Sequence, residues 1–153
     1  MGTTFLLVED DPADATLLRE ALNEGAVDCD IQSVNNGVDA SLYVKGEAKF
    51  ADRTKFPVPQ VILLDLNLPL FNGFEFLEWL RTQGPVPHRQ IAVVVVSATN
   101  RAEDVNRAYD LGANSFIAKS LGWLEFKERI HGMAAYWSQY RRILPRDPPR
   151  PGA

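Results

Sequence analysis

The sequence has few of the residues that stabilise small folds through cross-links or metal clusters. Cys29 is its only cysteine, so no disulfide can form within the chain. Its two histidines are His88 and His131, and neither has a second imidazole at ligand spacing. No apolar run approaches the ~18 residues that a membrane span requires. These absences exclude a disulfide scaffold and argue against an imidazole zinc site, and we expect no membrane segment.

Positive charge is also in short supply. The chain has 16 lysines and arginines against 20 acidic residues, which gives a formal net charge of -4. This balance gives no electrostatic reason to expect nucleic acid as a direct partner. The length of 153 residues suits one domain with its own core. We expect a cytoplasmic protein, because the sequence shows no basic segment leading into an apolar stretch.

What the sequence does contain is a regular alternation of short apolar runs and helical patterns. The five runs read TTFLLV, CDIQSV, VILLD, IAVVVVSA and NSFIAK. The fourth is apolar without alternation, which is typical of a parallel strand covered by helices on both faces. The alternation therefore predicts an α/β fold with a parallel sheet between two layers of helices.

Polar residues follow four of these runs at the point where each predicted strand ends. They are Glu9 and Asp10 after the first, Asp65 in the third, Ser97 in the fourth and Lys119 in the fifth. Each alone has an ordinary explanation, since acids cap helices, serines end strands and lysines are usually solvated. Together they fall where parallel sheets gather their functional groups, at the carboxyl ends of the strands.

Three carboxylates in one cleft repel one another and need a compensating cation. Oxygen ligands of this kind suit Mg2+, which readily bridges to a phosphoryl group, so Glu9, Asp10 and Asp65 are its predicted ligands. Such a site suits phosphoryl transfer to a carboxylate, with Asp65 as the nucleophile. Lys119 would pair with one phosphoryl oxygen, and the Ser97 hydroxyl would donate to another.

The motifs LLVEDD, VILLDLNLP, VVVVSA and NSFIAK together resemble a receiver domain of a two-component response regulator, from Thr4 to about Ala134. The resemblance implies a five-stranded parallel sheet of order 2-1-3-4-5 with five flanking helices. It also implies a metal ligand at the backbone carbonyl of Asn67. It further implies a switch pair, Ser97 and Phe116, in which the aromatic ring turns inward when the hydroxyl moves toward the phosphate.

The sequence departs from that family pattern in two places. The family lysine is usually followed by proline, often through a cis bond, whereas Ser120 follows Lys119 here. Because a non-proline cis bond costs about 3 kcal/mol, either a trans, rearranged loop or a strained cis bond would fit. Phe116 has no hydroxyl, so a switch role and a plain core role both remain open.

The last predicted helix starts near Trp123 and continues past Tyr140 with apolar residues at coiled-coil spacing. Its second half has no remaining surface to cover within one domain, so we expect a homodimer that uses Trp137, Tyr140, Ile143 and Leu144. Folding back onto the same domain is the alternative. Residues 1–140 would form the receiver domain. Residues 141–153 would form an extension, a dimer arm followed by a disordered proline-rich tail.

The connection GEAKFADRTKFPVPQ and the ending YWSQYRRILP are similar to those of single-domain regulators that partner phytochromes. The leading hypothesis is thus a signalling switch phosphorylated by a sensor histidine kinase, here a phytochrome, with output through protein contacts or phosphorelay. One alternative is a degenerate receiver that acts as a constitutive binding module. Another is an Mg2+-dependent aspartyl-phosphate phosphohydrolase, which Asn67 disfavours because such enzymes commonly have a second acid there.

Overall fold

The fold is built on one five-stranded parallel sheet. We describe it from a computed structural model, over residues 2–140. The strands are β1 (Thr3–Val8), β2 (Cys29–Val34), β3 (Val61–Leu64), β4 (Ala92–Ser97) and β5 (Ser115–Ala118). Their order in the sheet is β2-β1-β3-β4-β5, and every neighbouring pair is parallel. The predicted fold class and strand order are therefore confirmed.

Helices connect the strands and cover the sheet. They are α1 (Pro12–Glu24), α2 (Gly37–Lys45), α3 (Gly73–Gln83), α4 (Ala102–Asp110) and α5 (Trp123–Tyr140). Local sequence explains where several begin. Asp11 caps α1 by accepting from the backbone N–H of Ala13 at 2.9 Å. Asn72 and Glu75 form a capping box at the start of α3.

Two hydrophobic cores lie on opposite faces of the sheet, because successive strand residues point to opposite sides. In β1, Phe5 and Leu7 belong to the core beneath α1 and α5. Leu6 and Val8 belong to the core beneath α2 and α3. All four side chains are fully buried. The central strands β1, β3 and β4 are buried along their whole length, which explains why their apolar runs do not alternate with polar residues.

Helix α4 buries far less than its neighbours. Among the described residues, Ala108 is its only buried one, and it lies in a small cluster with Leu66 and Val95. On the same side of the sheet, the Arg107 guanidinium lies over the Phe74 ring of α3 at 4.2 Å from the ring centroid. Contacts of this kind contribute only about 0.5–1 kcal/mol at exposed sites. The helix is thus lightly anchored.

Arg81 of α3 joins two loops on the far side of the fold. Its guanidinium donates to the backbone carbonyls of Arg89, Ile91 and Gly112, at 2.7–3.0 Å. It also donates to the side-chain oxygen of Asn114 at 3.0 Å. Burial lowers the pKa of Arg81 to about 10. This side chain fixes the segments that lead into β4 and β5.

The long connection between α2 and β3 packs against α2. It contains a short 3-10 helix, Ala48–Phe50, and its aromatic rings pack against Tyr43, Phe50 in a tilted and Phe56 in an edge-on arrangement. The Tyr43 hydroxyl donates to the carbonyl of Pro57 at 2.8 Å. The connection returns to the sheet at Gln60, whose side chain accepts from the N–H of Thr4 at 2.6 Å. Thr4 lies in the amino-terminal half of β1. The connection therefore rejoins the sheet at the edge formed by the amino-terminal ends of the strands.

The outer surface of α5 carries an aromatic cluster near its last turn. Tyr136 and Tyr140 are 55% and 67% exposed, and their ring centroids are 5.3 Å apart. Trp137 is partly buried and packs against the core beneath α1 and α5. Two of the predicted interface residues, Ile143 and Leu144, lie outside the described residues, as does the predicted extension 141–153. Within residues 2–140, no helix combines the length and apolar content needed to cross a membrane.

Candidate metal and phosphoryl-acceptor site

The predicted site residues meet at the carboxyl edge of the sheet. Glu9 and Asp10 directly follow β1, Asp65 directly follows β3, and Lys119 directly follows β5, while Ser97 is the last residue of β4. These four strands are consecutive neighbours, so their carboxyl ends lie side by side. Strand order thus brings together residues that are far apart along the chain.

The loop after β3 holds Asp65 in place through backbone contacts. The N–H of Asn67 donates to Oδ1 of Asp65 at 3.2 Å. Gly73 begins α3 by donating its N–H to the carbonyl of Leu66 at 3.0 Å. A Cβ atom on Gly73 would lie only 2.3 Å from the carbonyl oxygen of Asp65. Glycine is therefore required here, because the helix start packs directly on the backbone of Asp65.

Glu9, Asp10 and Asp65 form a cluster of the size that one cation can bind. Their nearest carboxylate oxygens all lie within 4.8 Å of one another. Glu9 and Asp65 are buried, whereas Asp10 is exposed and opens the cluster to solvent. Three oxygen ligands with one open side suit Mg2+, which keeps several waters when it binds. The donor set fits the predicted divalent cation.

Lys119 is the cation already present among these carboxylates. Its Nζ donates to Oε1 of Glu9, to Oδ2 of Asp14 at 2.9 Å and to Oδ2 of Asp65 at 3.5 Å. Burial alone would lower the pKa of this ammonium, but its hydrogen bonds to Asp14 and Glu9 and the charge of Asp65 raise it above its usual value. Lys119 is therefore firmly charged and directed toward the acceptor carboxylate.

Glu9 has the most perturbed carboxyl group of the cluster. Its pKa is raised from 4.5 to about 7, chiefly by burial and also by the neighbouring Asp65, while the hydrogen bond from Lys119 opposes the rise. Its second oxygen, Oε2, accepts from the backbone N–H of Asp11 at 3.2 Å. In the absence of a divalent cation, the site is therefore poised to hold a proton on Glu9 near neutral pH.

The loop that carries Lys119 has no cis bond. The peptide bonds among the described residues are all trans, so the bond between Lys119 and Ser120 is trans. The backbone N–H of Lys119 donates to the carbonyl of Ser97 at 2.8 Å, which continues the pairing of β4 and β5 by one residue. Of the two arrangements that the sequence left open, the trans loop is the one found, and it still places the lysine at the site.

The two residues of the predicted switch pair lie on neighbouring strands. Ser97 is 2% exposed, and Phe116 is partly buried against Leu66, Val95 and Ala108. Phe116 pairs with Val95 in the register of β4 and β5. Phe116 thus packs against the small cluster to which Ala108 of α4 belongs, a position compatible with either a core or a switch role.

Asp14 is the residue that sequence reasoning missed. It is the third residue of α1, where an acidic side chain is commonly explained by the positive end of the helix dipole. Its contact with Lys119 spans 105 positions along the chain. The one available signal was that Asp14 lies four residues after Asp10, since residues four apart lie on the same side of a helix. Because Asp10 precedes the helix, this spacing did not predict that Asp14 faces the site.

Comparisons with known proteins agree with this geometry. The family model described as the response regulator receiver domain matches residues 5–131. Among curated proteins, the response regulator Rcp1 of Synechocystis sp. is 30% identical over 133 residues, which cover 87% of this chain and 87% of that protein. A crystal structure of the Mn2+-bound form of Rcp1 has a TM-score of 0.78 at 30% identity, covering 94% of this chain and 99% of the other.

Two further solved structures are similar over almost the whole chain. The phosphorylated cyanobacterial phytochrome response regulator RcpA has a TM-score of 0.81 at 32% identity, covering 95% of this chain and 99% of the other. A response regulator in red light signaling of R. palustris has a TM-score of 0.83 at 28% identity, with coverage of 95% and 99%. With the family model reaching from within β1 into α5, and with the acidic cluster at the carboxyl edge of the strands, the chain belongs to the response regulator receiver domain family, among relatives associated with phytochromes.

Proposed function

We propose that this chain is a signalling switch that accepts a phosphoryl group from a sensor histidine kinase onto Asp65, in a reaction that depends on Mg2+. The observation that supports this most directly is the position of the Asp65 carboxylate. One side of it faces Glu9 and Asp10 within 4.8 Å, and its Oδ2 lies 3.5 Å from the ammonium of Lys119. A carboxylate between a cation site and a fixed lysine is suited to receive a negatively charged group.

In the proposed reaction, a carboxylate oxygen of Asp65 attacks the phosphorus atom of a phosphohistidine. The bond from phosphorus to the imidazole nitrogen breaks, and the imidazole leaves with the electron pair. Lys119 pairs with one phosphoryl oxygen, and the hydroxyl of Ser97 donates to another. When bound by Glu9, Asp10, Asp65 and the carbonyl of Asn67, Mg2+ supplies positive charge that offsets the charge of the transferring group.

The relatives suggest which kinase phosphorylates this chain. RcpA is a phytochrome response regulator, and another similar structure is of a regulator in red light signaling. The similarity to these two regulators supports a phytochrome with kinase activity as the partner of this chain. The phosphorylated chain would pass the signal on through protein contacts or by relaying the phosphoryl group to a further protein.

A homodimer is also part of the proposed function. The domain would consist of residues 1–140, with 141–153 as the arm and tail. Support comes from the aromatic rings at the end of α5, where Tyr136 and Tyr140 are more than half exposed. Such an apolar surface commonly marks an interface. Trp137, Tyr140, Ile143 and Leu144 are the proposed interface residues, and Tyr136 joins them because of its exposure.

The geometry favours this proposal over the two alternatives. The serine after Lys119 was the reason to consider a degenerate receiver, yet Lys119 lies 3.5 Å from Asp65 despite it. A phosphohydrolase would need an acid two residues after the nucleophile to protonate a leaving group, and Asn67 occupies that position. We therefore propose no enzymatic activity beyond self-phosphorylation from small donors and autodephosphorylation.

The test is phosphorylation of the purified chain by acetyl phosphate, with and without Mg2+, followed by intact mass. We expect one phosphoryl adduct that requires Mg2+ and is absent from Asp65→Asn. Asp52→Asn is the matched control, because Asp52 lies in the connection between α2 and β3 and should leave the adduct unchanged. If neither acetyl phosphate nor a phytochrome kinase yields an adduct on the unmodified chain, the constitutive binding module becomes the better explanation.

A further inference from the structure

The hydrogen-bonding capacity of Lys119 is already used up in this structure. An ammonium group has three N–H donors, and the Nζ atom of Lys119 contacts three carboxylates, those of Glu9, Asp14 and Asp65. A phosphoryl group on Asp65 would present further oxygen atoms to the same ammonium. Lys119 can donate to one of them only if an existing contact is given up.

Among the three carboxylates, that of Asp14 is destabilised least when its contact with Lys119 is broken. The side chains of Glu9 and Asp65 are 1% and 7% exposed, so either carboxylate would be left poorly hydrated without its cation. The Asp14 side chain is 35% exposed, and water can replace the lysine around it. A phosphoryl oxygen therefore competes with Asp14 for Lys119 more readily than with the two buried acids.

Asp14 also adds negative charge to the site. In their ionised forms, four carboxylates, those of Glu9, Asp10, Asp14 and Asp65, share the neighbourhood of the single ammonium of Lys119. A fourth negative charge favours the binding of a divalent cation at this edge of the sheet and disfavours the approach of a negatively charged phosphoryl group. Asp14 should therefore strengthen cation binding and weaken the attraction of the site for the phosphoryl group.

We propose that Asp14 is a positioning residue, which holds Lys119 in the resting state, strengthens divalent-cation binding and slows phosphoryl acceptance by competing for the lysine. This proposal rests on the proposed function of Asp65. Replacing Asp14 by asparagine should weaken Mg2+ binding by about threefold to tenfold. The same change should accelerate phosphorylation at saturating Mg2+ by about the same factor, because Lys119 is then free to turn toward the phosphoryl group.

The experiment compares the unmodified chain with Asp14→Asn, Asp14→Glu and Glu24→Gln. Asp14→Glu keeps the charge and tests rescue. Glu24→Gln is the matched control, because Glu24 is on the same helix and pairs with Lys127 of α5 at 2.9 Å. It lies ten residues away, about 15 Å along the helix, where its charge is largely screened. Calorimetry gives the dissociation constant for Mg2+ alone, and intact mass gives the rate of adduct formation from acetyl phosphate.

Weaker Mg2+ binding together with faster phosphorylation in Asp14→Asn, reversed in Asp14→Glu and absent in Glu24→Gln, would support the proposal. A purely structural role predicts that both properties worsen together, and that result would overturn it, as would no change in either. If the unmodified chain takes no phosphoryl group, the proposed function fails on its own evidence. The Mg2+ titration then still decides whether Asp14 acts on the cation site, and an unchanged constant would reject the proposal. Matching circular dichroism spectra establish that each variant is folded.

Discussion

The backbone N–H of Lys119 donates to the carbonyl of Ser97 at 2.8 Å, one residue beyond the last paired residues of β4 and β5. This hydrogen bond ties the lysine to the sheet at the point where its side chain must turn toward Asp65. It explains how the lysine keeps its position although serine follows it. The two residues whose side chains are proposed to contact the phosphoryl oxygens are thus joined by one backbone hydrogen bond.

Replacement of Lys119 by methionine should destabilise the chain when no divalent cation is present. The buried carboxylates of Glu9 and Asp65 would lose their only common cation among the described residues, so we expect a loss of about 2–4 kcal/mol at pH 8. Urea unfolding in EDTA measures the loss, and added Mg2+ should recover part of it. Lys127→Met is the control, since its exposed pair with Glu24 should be worth about 0.5 kcal/mol or less. Equal losses in the two variants would contradict the prediction.

The free energy of unfolding should depend on pH through Glu9. Its pKa is about 7 in the folded chain and near the ordinary 4.5 when unfolded, so the folded state holds one more proton between these values. Stability from this group therefore falls as pH rises from about 4.5 to about 7, by on the order of 1–3 kcal/mol, and levels off above. We expect Glu9→Gln, measured in EDTA, to gain stability relative to the unmodified chain across that range. A constant difference between pH 5 and pH 8 would show that Glu9 titrates normally.

Loss of the Arg81 side chain should destabilise the fold without affecting the acidic site. Arg81→Met would leave the carbonyls of Arg89, Ile91 and Gly112 without their shared donor, for an expected cost of about 2–4 kcal/mol. Arg129→Met removes only an exposed pair with Glu125 and should cost about 0.5 kcal/mol or less. Thermal unfolding measures the stability of both variants, and we expect the lower midpoint temperature for Arg81→Met. Phosphorylation of the folded Arg81→Met chain should proceed at the normal rate, and a slowed rate would indicate coupling that the contacts do not predict.

Shortening Tyr140 should weaken the proposed homodimer. Tyr140→Ser removes a ring that is 67% exposed in the single chain, and loss of a buried interface aromatic typically raises a dimer dissociation constant by about tenfold or more. Sedimentation velocity over a concentration series measures the constant. Tyr109→Ser is the control, because Tyr109 of α4 is 47% exposed and lies outside the proposed interface. An unmodified chain that stays monomeric at high concentration would reject the dimer.

Much of this fold could be predicted from the sequence because its three central strands, β1, β3 and β4, are buried on both faces. The first two predicted strands coincide with β1 and β2, the third is one residue too long at its end, and the fourth and fifth are one residue too long at both ends. The proposed ligands Glu9, Asp10 and Asp65 could be predicted because parallel strands align their carboxyl ends, a rule that depends only on order along the chain.

The contacts that sequence reasoning missed are those between side chains of distant elements. From the sequence alone, Asp14 is explained as an acidic residue at the start of a helix, and Arg81 as a solvated basic residue at the end of α3. Their actual partners depend on how helices pack on the sheet, which periodicity does not specify. The same holds for Tyr136, whose exposure depends on how α5 is rotated against the core.

The light anchoring of α4 has a consequence for the time-dependent behaviour of the chain. With Ala108 as its only buried residue among those described, the helix can separate from the sheet at a small cost in apolar contact. Its amide protons should exchange with solvent sooner than those of α1 or α3. Each opening would uncover Val95 and more of Phe116, so we expect the surface next to Ser97 to alternate between a closed form and one transiently accessible to another molecule.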